Sequence, residues 1–447
     1  MSALARYFKH LGREVWGYDR TRTELTIQLE QEGMVIHYED SVSLIPGNVL
    51  SHPEESLIVY TPAIPRDHNE YNYLREKESY ILKRSQLLGM IVNSSEGVAV
   101  AGTHGKTTVS TMISHLLVQA DLPAMAFLGG ISKNYHSNLI LGKGNRYIVA
   151  EADEFDRSFL QLTPHLAVIT SADADHLDIY GSHEEVLRSF GLFAKQVKDN
   201  GILILKKGLP FTPAAGRNIR VFTYSAREEA DFYAMDHHYI EGRSRFTLVT
   251  PSGQEGKIEI GLPGKANVEN AVAALAAGIS LGVPVDRLRQ ALAGFAGVVR
   301  RFDIQVHGEK YVYIDDYAHH PEELKAIINA AREMFPGRKL TGIFQPHLYT
   351  RTRDFADGFA ESLSLLDELI LLEIYPAREL PIEGVNSRMI LDRVNLPAKR
   401  ICQKDELMNI LKESDIEVLL TLGAGDIDNF VKPIGALVSE MEEGVEG

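Results

Sequence analysis

The sequence predicts an α/β protein of three domains built on mostly parallel sheets, and three observations carry that reading. The chain has 447 residues, which at about 150 per domain suggests three domains. Apolar runs of strand length alternate with amphipathic runs of helix length, the pattern of parallel sheets covered on both faces. A glycine-bearing Gly-Lys-Thr turn at 102–108 lies between one such strand and one such helix.

Composition narrows the class. Hydrophobic residues make up 45% and charged residues 24%, which fits a globular chain able to bury its own cores. The single cysteine, Cys402, excludes an intramolecular disulfide and a Cys-cluster zinc site, and suits a reducing cytoplasm. Lys and Arg number 46 against 61 Asp and Glu, a formal charge of −15, which argues against a nucleic-acid partner. The stretch Ala271 to Val285 is short and broken by Gly278, Gly282 and Pro284, so it reads as a buried helix and no membrane association is expected. The start, MSALARYFKH, lacks the apolar region of a secretory signal, and a cytoplasmic location is expected.

Ser2 to His10 reads as a helix with Leu4, Phe8 and Leu11 on one face, closed by Gly12. EVWGYD follows as a strand ending at Asp19. A helix and then a strand ending in an acid form the second half of a dinucleotide-type β-α-β unit. Its first strand and glycine loop would precede Met1, so the opening reads as a truncated Rossmann-like domain. Strands at MVIHY and SLIVYTPAI complete that domain over residues 1–94. A second run spans 95–298: GVAVAG, YIVAEAD and LAVITSADADH, then a β-rich stretch of GILILKKG, VFTYS, DFYAMDHHYI and RFTLVTP, then a helix at Asn267 to Leu281. YVYIDDYAHHP, LTGIFQPH, ELILLEIYPA and VLLTLGAG give a third, Rossmann-like domain over 299–447. The acidic tail SEMEEGVEG is expected to be frayed or solvated.

The turn Gly102-Thr103-His104-Gly105-Lys106-Thr107-Thr108 has the chemistry of a P-loop. Its glycines let backbone N–H groups approach phosphate oxygens, and the helix N-terminus adds a positive dipole end. Lys106 can neutralise the β- and γ-phosphates of ATP, and Thr107 can ligate Mg²⁺. The match to GxxxxGK[ST] is imperfect, because Val100 takes the first glycine position. Two downstream strand ends bring acids: Glu151 and Asp153, then Asp173, Asp175 and His176. A carboxylate such as Glu151 suits a hard Mg²⁺. A histidine such as His176 is more often a hydrogen-bonding loop residue than a ligand.

Together these residues resemble the Mur ligases, ATP-dependent amide-forming enzymes of peptidoglycan precursor synthesis. The resemblance covers nearly the whole chain. It runs through AGTHGKTT, EADE at 151–154, DADHLD at 173–178, GKANVENA at 264–271 and VVRRFD at 298–303, then DDYAHHP at 315–321, FQPHLYTRTRD at 344–354 and GAGD at 423–426. GTHGKTT with DDYAHHP and QPHLYTRT is similar to the branch that joins L-alanine to UDP-N-acetylmuramate. The resemblance implies that the first domain holds the UDP-sugar, the second ATP and metal, and the third the amino acid. ATP would meet Gly102, Thr103, His104, Gly105, Lys106, Thr107, Thr108, Asn267, Asn270, Arg301 and Asp316. Mg²⁺ or Mn²⁺ would meet Thr107, Glu151 and His176. Asp19, Thr61, Pro62 and Ala63 would line the sugar-nucleotide site, while Tyr317, His319 and Arg351 shape the alanine site. Lys106, Arg301, His319 and Arg351 are the implied catalytic set.

The chemistry of these residue types agrees. Asn offers both a donor and an acceptor to an adenine edge, against plain N-capping for Asn267 and Asn270. Arg301 offers a fork to phosphate oxygens, against interdomain salt bridges for Arg300 and Arg301. Leu348 replaces an arginine common in relatives, and Phe190 stands where several sister ligases carry a modified lysine. The rival functions are a recycling ligase that adds a whole peptide to the same sugar nucleotide, and a non-catalytic relative that only binds ATP and precursor. A monomer or homodimer is expected.

Overall fold

The computed structural model describes residues 1–77, 79–174, 177–211, 218–240, 242–377 and 379–444. The chain divides into two compact units, the first comprising 1–131, 135–224 and 273–288, the second 132–134, 225–272 and 289–447. Among the described residues no helix is long and apolar enough to cross a membrane.

The first unit opens with short parallel ladders. β1 (Trp16–Tyr18) pairs with β2 (Val35–His37), and β3 (Ile58–Tyr60) with β4 (Ile81–Lys83). Helices between them start at capping side chains: Thr23 with Thr26 caps Glu24–Gln31, and His68 caps Asn69–Glu76. The buried Arg6 of helix Ser2–His10 ties this region down by hydrogen bonds to Glu32 and Asn138.

The larger sheet of this unit is built from β5 (Glu96–Ala101), β6 (Ala124–Ser132), β7 (Ser137–Leu141), β8 (Tyr147–Ala152), β9 (Leu166–Ile169), β10 (Ile202–Lys206) and β11 (Arg220–Ser225). Among the described residues they lie in the order β11-β10-β9-β5-β8-β6-β7, parallel from β11 through β6. Strand β5 is central, and its Val98, Ala99, Val100 and Ala101 are wholly buried, as continuous apolar strands covered on both faces should be. Phe190 packs into an aromatic cluster, 5.3 Å from Phe159, which in turn stacks on Phe193 at 5.1 Å.

In the second unit, β12 (Phe232–Ile240), β13 (Arg243–Thr250) and β14 (Gly253–Ile260) form an antiparallel meander. Alternate residues of β13, from Ser244 to Thr250, are buried, the signature of one covered face. A further sheet contains β15 (Asp303–His307), β16 (Val312–Asp316), β17 (Leu340–Phe344), β18 (Glu368–Leu371), β19 (Ala398–Ile401) and β20 (Val418–Leu422). Its order is β15-β16-β20-β17-β18-β19, with only the β15–β16 ladder antiparallel among the described residues.

A buried ion pair anchors this sheet. Arg300 Nε donates to Asp315 at 2.9 Å and its Nη2 to the Gly423 carbonyl at 2.8 Å. Asp315 is wholly buried and also accepts from the Thr421 hydroxyl at 2.7 Å. Arg300 therefore serves the interior of its own unit. The acidic tail, expected to be frayed or solvated, is helical through Glu443 with Glu440, Glu443 and Gly444 exposed, and its residues 445–447 lie outside the described residues. Helix Val431–Glu443 runs into it, and the Glu442 carboxylate accepts from the backbone N–H groups of Glu309, Lys310 and Tyr311 at 2.7–3.2 Å. Cys402 is buried behind β18, and burial pushes its thiol up to about 11.

Removing one partner of a buried pair leaves a charge without compensation, which costs about 3–5 kcal/mol. Arg300→Met should therefore lower the stability of the second unit by that order, and the paired change Arg300→Met/Asp315→Leu should recover part of it. Urea unfolding of the three chains checks this.

Candidate active site

The first unit carries a phosphate loop at the carboxyl end of β5. Gly102 and Gly105 hold φ of 143° and 81°, where a side chain would strain the backbone. A Cβ on Gly102 would also lie 2.0 Å from Thr170 Oγ1. Hydroxyls from the end of β9 pin the loop: Ser171 Oγ accepts from His104 N–H at 2.7 Å and from the Thr103 hydroxyl at 2.9 Å. The Thr170 hydroxyl donates to the His104 carbonyl, and Asp173 N–H to Thr103 Oγ1 at 3.2 Å. Helix Lys106–Gln119 begins at once, with Thr107 and Thr108 buried in its first turn, so its open N–H groups form an N-terminus able to receive an anion at the loop.

Lys106 lies beneath this loop, largely withdrawn from solvent. Its ammonium donates to the Gly102 carbonyl at 2.6 Å and to Glu154 at 2.9 Å. Burial alone would favour the neutral amine, but the carboxylates of Glu154, Glu151 and Asp153 outweigh it and hold Lys106 protonated, above the ordinary lysine range. Glu154 itself is almost wholly buried, and Tyr180 donates to its carbonyl at 2.6 Å.

Beside the lysine, the Thr107 hydroxyl donates to Glu151 Oε2 at 2.8 Å, and Gly129 N–H donates to the same oxygen at 3.1 Å. A hydroxyl and a carboxylate at one point make a hard oxygen site. Mg²⁺ keeps waters and takes phosphate oxygens, so a donor set this small suits it. His176, the third expected ligand, lies outside the described residues.

The second unit gathers Tyr317, His319, Arg301 and Arg351. Asp316 is buried at the end of β16, with one carboxylate oxygen accepting from Phe302 N–H at 2.6 Å and the other from Ala318 N–H at 2.8 Å. Burial pushes Asp316 up to about 6, against the pull of Arg301 and these two donors. One oxygen is thus spoken for by the turn that carries Arg301 and the other by the turn that follows β16. Arg301 and Arg300 each sit 5.3 Å from the centre of the Tyr317 ring. Tyr317 packs edge-on to His319, with ring centres 5.3 Å apart.

His319 faces the Tyr317 carbonyl through Nδ1 at 2.9 Å, and its backbone N–H donates to Glu323 at 3.0 Å. Burial is the chief reason its imidazole is pushed down to about 4. Glu323 opposes that shift, while Arg351 and Arg301 reinforce it. The ring is neutral near pH 7, with the proton on Nδ1 and the lone pair on Nε2. Arg351 is buried in helix Tyr349–Asp354. That helix is reached through Leu348, whose φ of 70° is unusual for a residue with a side chain.

Asn267 and Asn270 lie in the first turns of helix Lys265–Ser280. Asn267 Nδ2 donates back to the Pro263 carbonyl at 2.8 Å and accepts from no helix N–H among the described residues, so its amide is not a plain N-cap there. In the N-terminal region Asp19 accepts from Thr21 N–H at 3.1 Å, directly after β1. Thr61, Pro62 and Ala63 follow β3 in a turn closed by Ala63 N–H to the Thr61 hydroxyl at 3.0 Å.

Sequence reasoning missed several partners. Glu154 stands in the recognised EADE stretch, but nothing in the sequence separates it from Glu151. Glu323, which orients His319, lies one helical turn away, a spacing that could have flagged it.

The comparisons with known proteins agree with this geometry. Residues 1–96 match the Mur ligase family catalytic domain, 100–278 the Mur ligase middle domain, and 300–425 the Mur ligase glutamate ligase domain. The chain is 52% identical over 441 residues to the UDP-N-acetylmuramate–L-alanine ligase of Parabacteroides distasonis, covering 99% of this chain and 95% of that one. It is 49% identical over 441 residues to the enzyme of the same name from Phocaeicola vulgatus, covering 98% and 96%. The crystal structure of UDP-N-acetylmuramate–alanine ligase from Thermotoga maritima superposes with a TM-score of 0.83 at 27% identity, covering 99% and 97% of the two chains. A murein peptide ligase from Psychrobacter arcticus shares the fold, with a TM-score of 0.69 at 22% identity over 98% and 96%. On family matches across nearly its whole length, and on the phosphate loop that the structure builds, the chain belongs to the Mur ligase family, with the three-domain α/β fold of that family.

Proposed function

We propose that this chain joins L-alanine to the lactyl carboxylate of UDP-N-acetylmuramate, converting ATP to ADP and phosphate, in peptidoglycan precursor synthesis. The observation that carries the reading is the largely buried, protonated Lys106 beside the Thr107–Glu151 pair, in a chain about half identical end to end to ligases of that activity. The lactyl carboxylate attacks the γ-phosphorus, ADP leaves, and an acyl phosphate forms. The alanine amine then attacks the acyl carbon, loses a proton, and phosphate departs as the amide forms.

The protein's part is positioning and charge neutralisation. Lys106 and the N–H groups of residues 102–108 hold the phosphates, while Asn267 and Asn270 meet the adenine. Arg301, set by Asp316, adds a second cation for the transferred phosphoryl group. Thr107 and Glu151 would hold Mg²⁺ (or Mn²⁺), with His176 as a third ligand, and the ion supplies further neutralisation there when bound. Tyr317 and Arg351 shape the alanine site, and the Nε2 lone pair of His319 is suited to accept a proton from the amine. Asp19, Thr61, Pro62 and Ala63 line the sugar-nucleotide site. Domain limits at 1–94, 95–298 and 299–447 and a cytoplasmic setting fit an enzyme fed by ATP and a nucleotide sugar.

Phosphate release from ATP, with each substrate omitted in turn, tests the reading. Release is expected only with both UDP-N-acetylmuramate and L-alanine present. A preference for a tripeptide over L-alanine would transfer the chain to the recycling branch.

Lys106→Ala removes charge stabilisation of a few kcal/mol and should lower turnover by about a hundredfold or more. Undiminished turnover would contradict the assignment. For His319 the folded ring titrates near 4 and the unfolded one near 6.5. Between those values only the unfolded chain takes up the proton, so stability falls as pH drops through the window and is flat above it. Wild type should therefore lose up to about 3 kcal/mol relative to His319→Gln between pH 6.5 and 4, read by denaturant unfolding at each pH.

A further inference from the structure

The loops after β1, β2 and β3 of the first unit converge on a histidine that the catalytic reading leaves unused. His68 ends the segment that begins at Thr61 and is only 4% exposed. Its ring packs edge-on to Tyr18, the last residue of β1, with centres 4.5 Å apart. Tyr18 also lies 5.8 Å from the ring of His37, the last residue of β2. His37 Nε2 is hydrogen-bonded to Glu70 at 2.7 Å, on the helix that His68 caps. Parallel strands present ligands at their carboxyl ends, and His68 stands at that edge against Tyr18.

The polar atoms around it are accounted for, with one exception. Asp40 accepts from the N–H groups of Asn69 and Glu70 at 2.8 and 3.1 Å. Glu70 accepts from Ser41 N–H at 3.1 Å as well as meeting His37. His68 Nδ1 accepts from Tyr71 N–H at 3.2 Å, the capping bond of helix Asn69–Glu76. With Nδ1 accepting, a neutral ring carries its proton on Nε2, and a ring protonated against Asp40 carries one there too. That Nε2 is buried and has no hydrogen-bond partner among the described residues. A buried donor without an acceptor costs about 1–3 kcal/mol, so this arrangement is maintained against a penalty unless something supplies an acceptor.

We propose that His68 is a binding and specificity residue of the sugar-nucleotide site, donating through Nε2 to an acceptor oxygen on the uridine portion of the substrate. The inference rests on the ligase reading above and deepens it. Tyr18 and His37 supply an aromatic wall suited to a flat pyrimidine, and the donor selects a base or ribose oxygen.

The two nitrogens of the ring can be tested apart. His68→Asn keeps an acceptor near Nδ1, and Asn is among the best N-caps, but it removes the Nε2 donor. His68→Gln keeps a donor near Nε2 and weakens the cap. Binding of UDP-N-acetylmuramate, UDP and uridine is measured by calorimetry, beside Tm and steady-state kinetics. His68→Asn is expected to keep Tm and saturated kcat while weakening all three ligands about tenfold and raising KM for the sugar nucleotide. His68→Gln is expected to lower Tm yet bind close to wild type. Wild-type affinity in a folded His68→Asn, or losses in both variants that follow Tm alone, would overturn the proposal and leave the ligase reading intact. A wild-type chain that binds no sugar nucleotide would overturn both.

Discussion

The ammonium of Lys106 is the constraint on which the first unit is organised. Taking a charge out of water costs several kcal/mol unless close partners compensate, and here they are Glu154 and the Gly102 carbonyl. Glu154 must then be delivered to the underside of the loop. The chain does this through a turn in which Asp156 and Arg157 adopt φ of 55° and 54°, a conformation residues with side chains seldom take. Flanking ion pairs from Lys83 to Asp156 and from Arg84 to Asp153 hold that turn. The lysine, the acid and the strained turn are one arrangement, and the hydroxyls of Thr170 and Ser171 hold the other side of the loop.

Polar groups in this protein divide by whether the fold itself uses them up. Arg300, Asp315, Asp316 and Glu442 spend their hydrogen-bonding capacity on backbone and on one another, so they fix turns and strand ends. His319 keeps one ring nitrogen free of that duty, with its other polar atoms committed to Tyr317 and Glu323. Held this way, its free nitrogen has a fixed direction, a requirement for acting on a substrate with little reorganisation.

Much of the architecture was legible because parallel strands buried on both faces are unbroken apolar words: GVAVAG, YIVAEA, GILILK, VLLTL. The phosphate loop was legible because its glycines and lysine sit between such a strand and a helix. Polar edge strands escaped notice. GQEGKIEI, DIQVH and AKRI carry few apolar residues because much of each strand faces water, so hydrophobic pattern cannot announce them. The anchored, helical part of the acidic tail was not foreseen for a related reason. Composition reports a run of glutamates, but only the fold shows that Glu442 meets three backbone N–H groups of a distant turn. Arg300 and Arg301 are adjacent and identical in type. Both lie over Tyr317, and what sets Arg300 apart as the interior anchor, its bonds to Asp315 and Gly423, goes with a local left-handed backbone at Arg300 that no pattern of residues predicts.

The buried Cys402 has a practical consequence for anyone wishing to follow this chain in motion. Thiol reagents attack the thiolate, and at neutral pH a shielded thiol that ionises only near 11 offers almost none. The native sequence is therefore close to a silent background for maleimide chemistry. A single cysteine introduced on each unit would take a dye pair or spin labels with little competition from the native residue. Distances across the molecule could then be followed through turnover without first removing a core side chain.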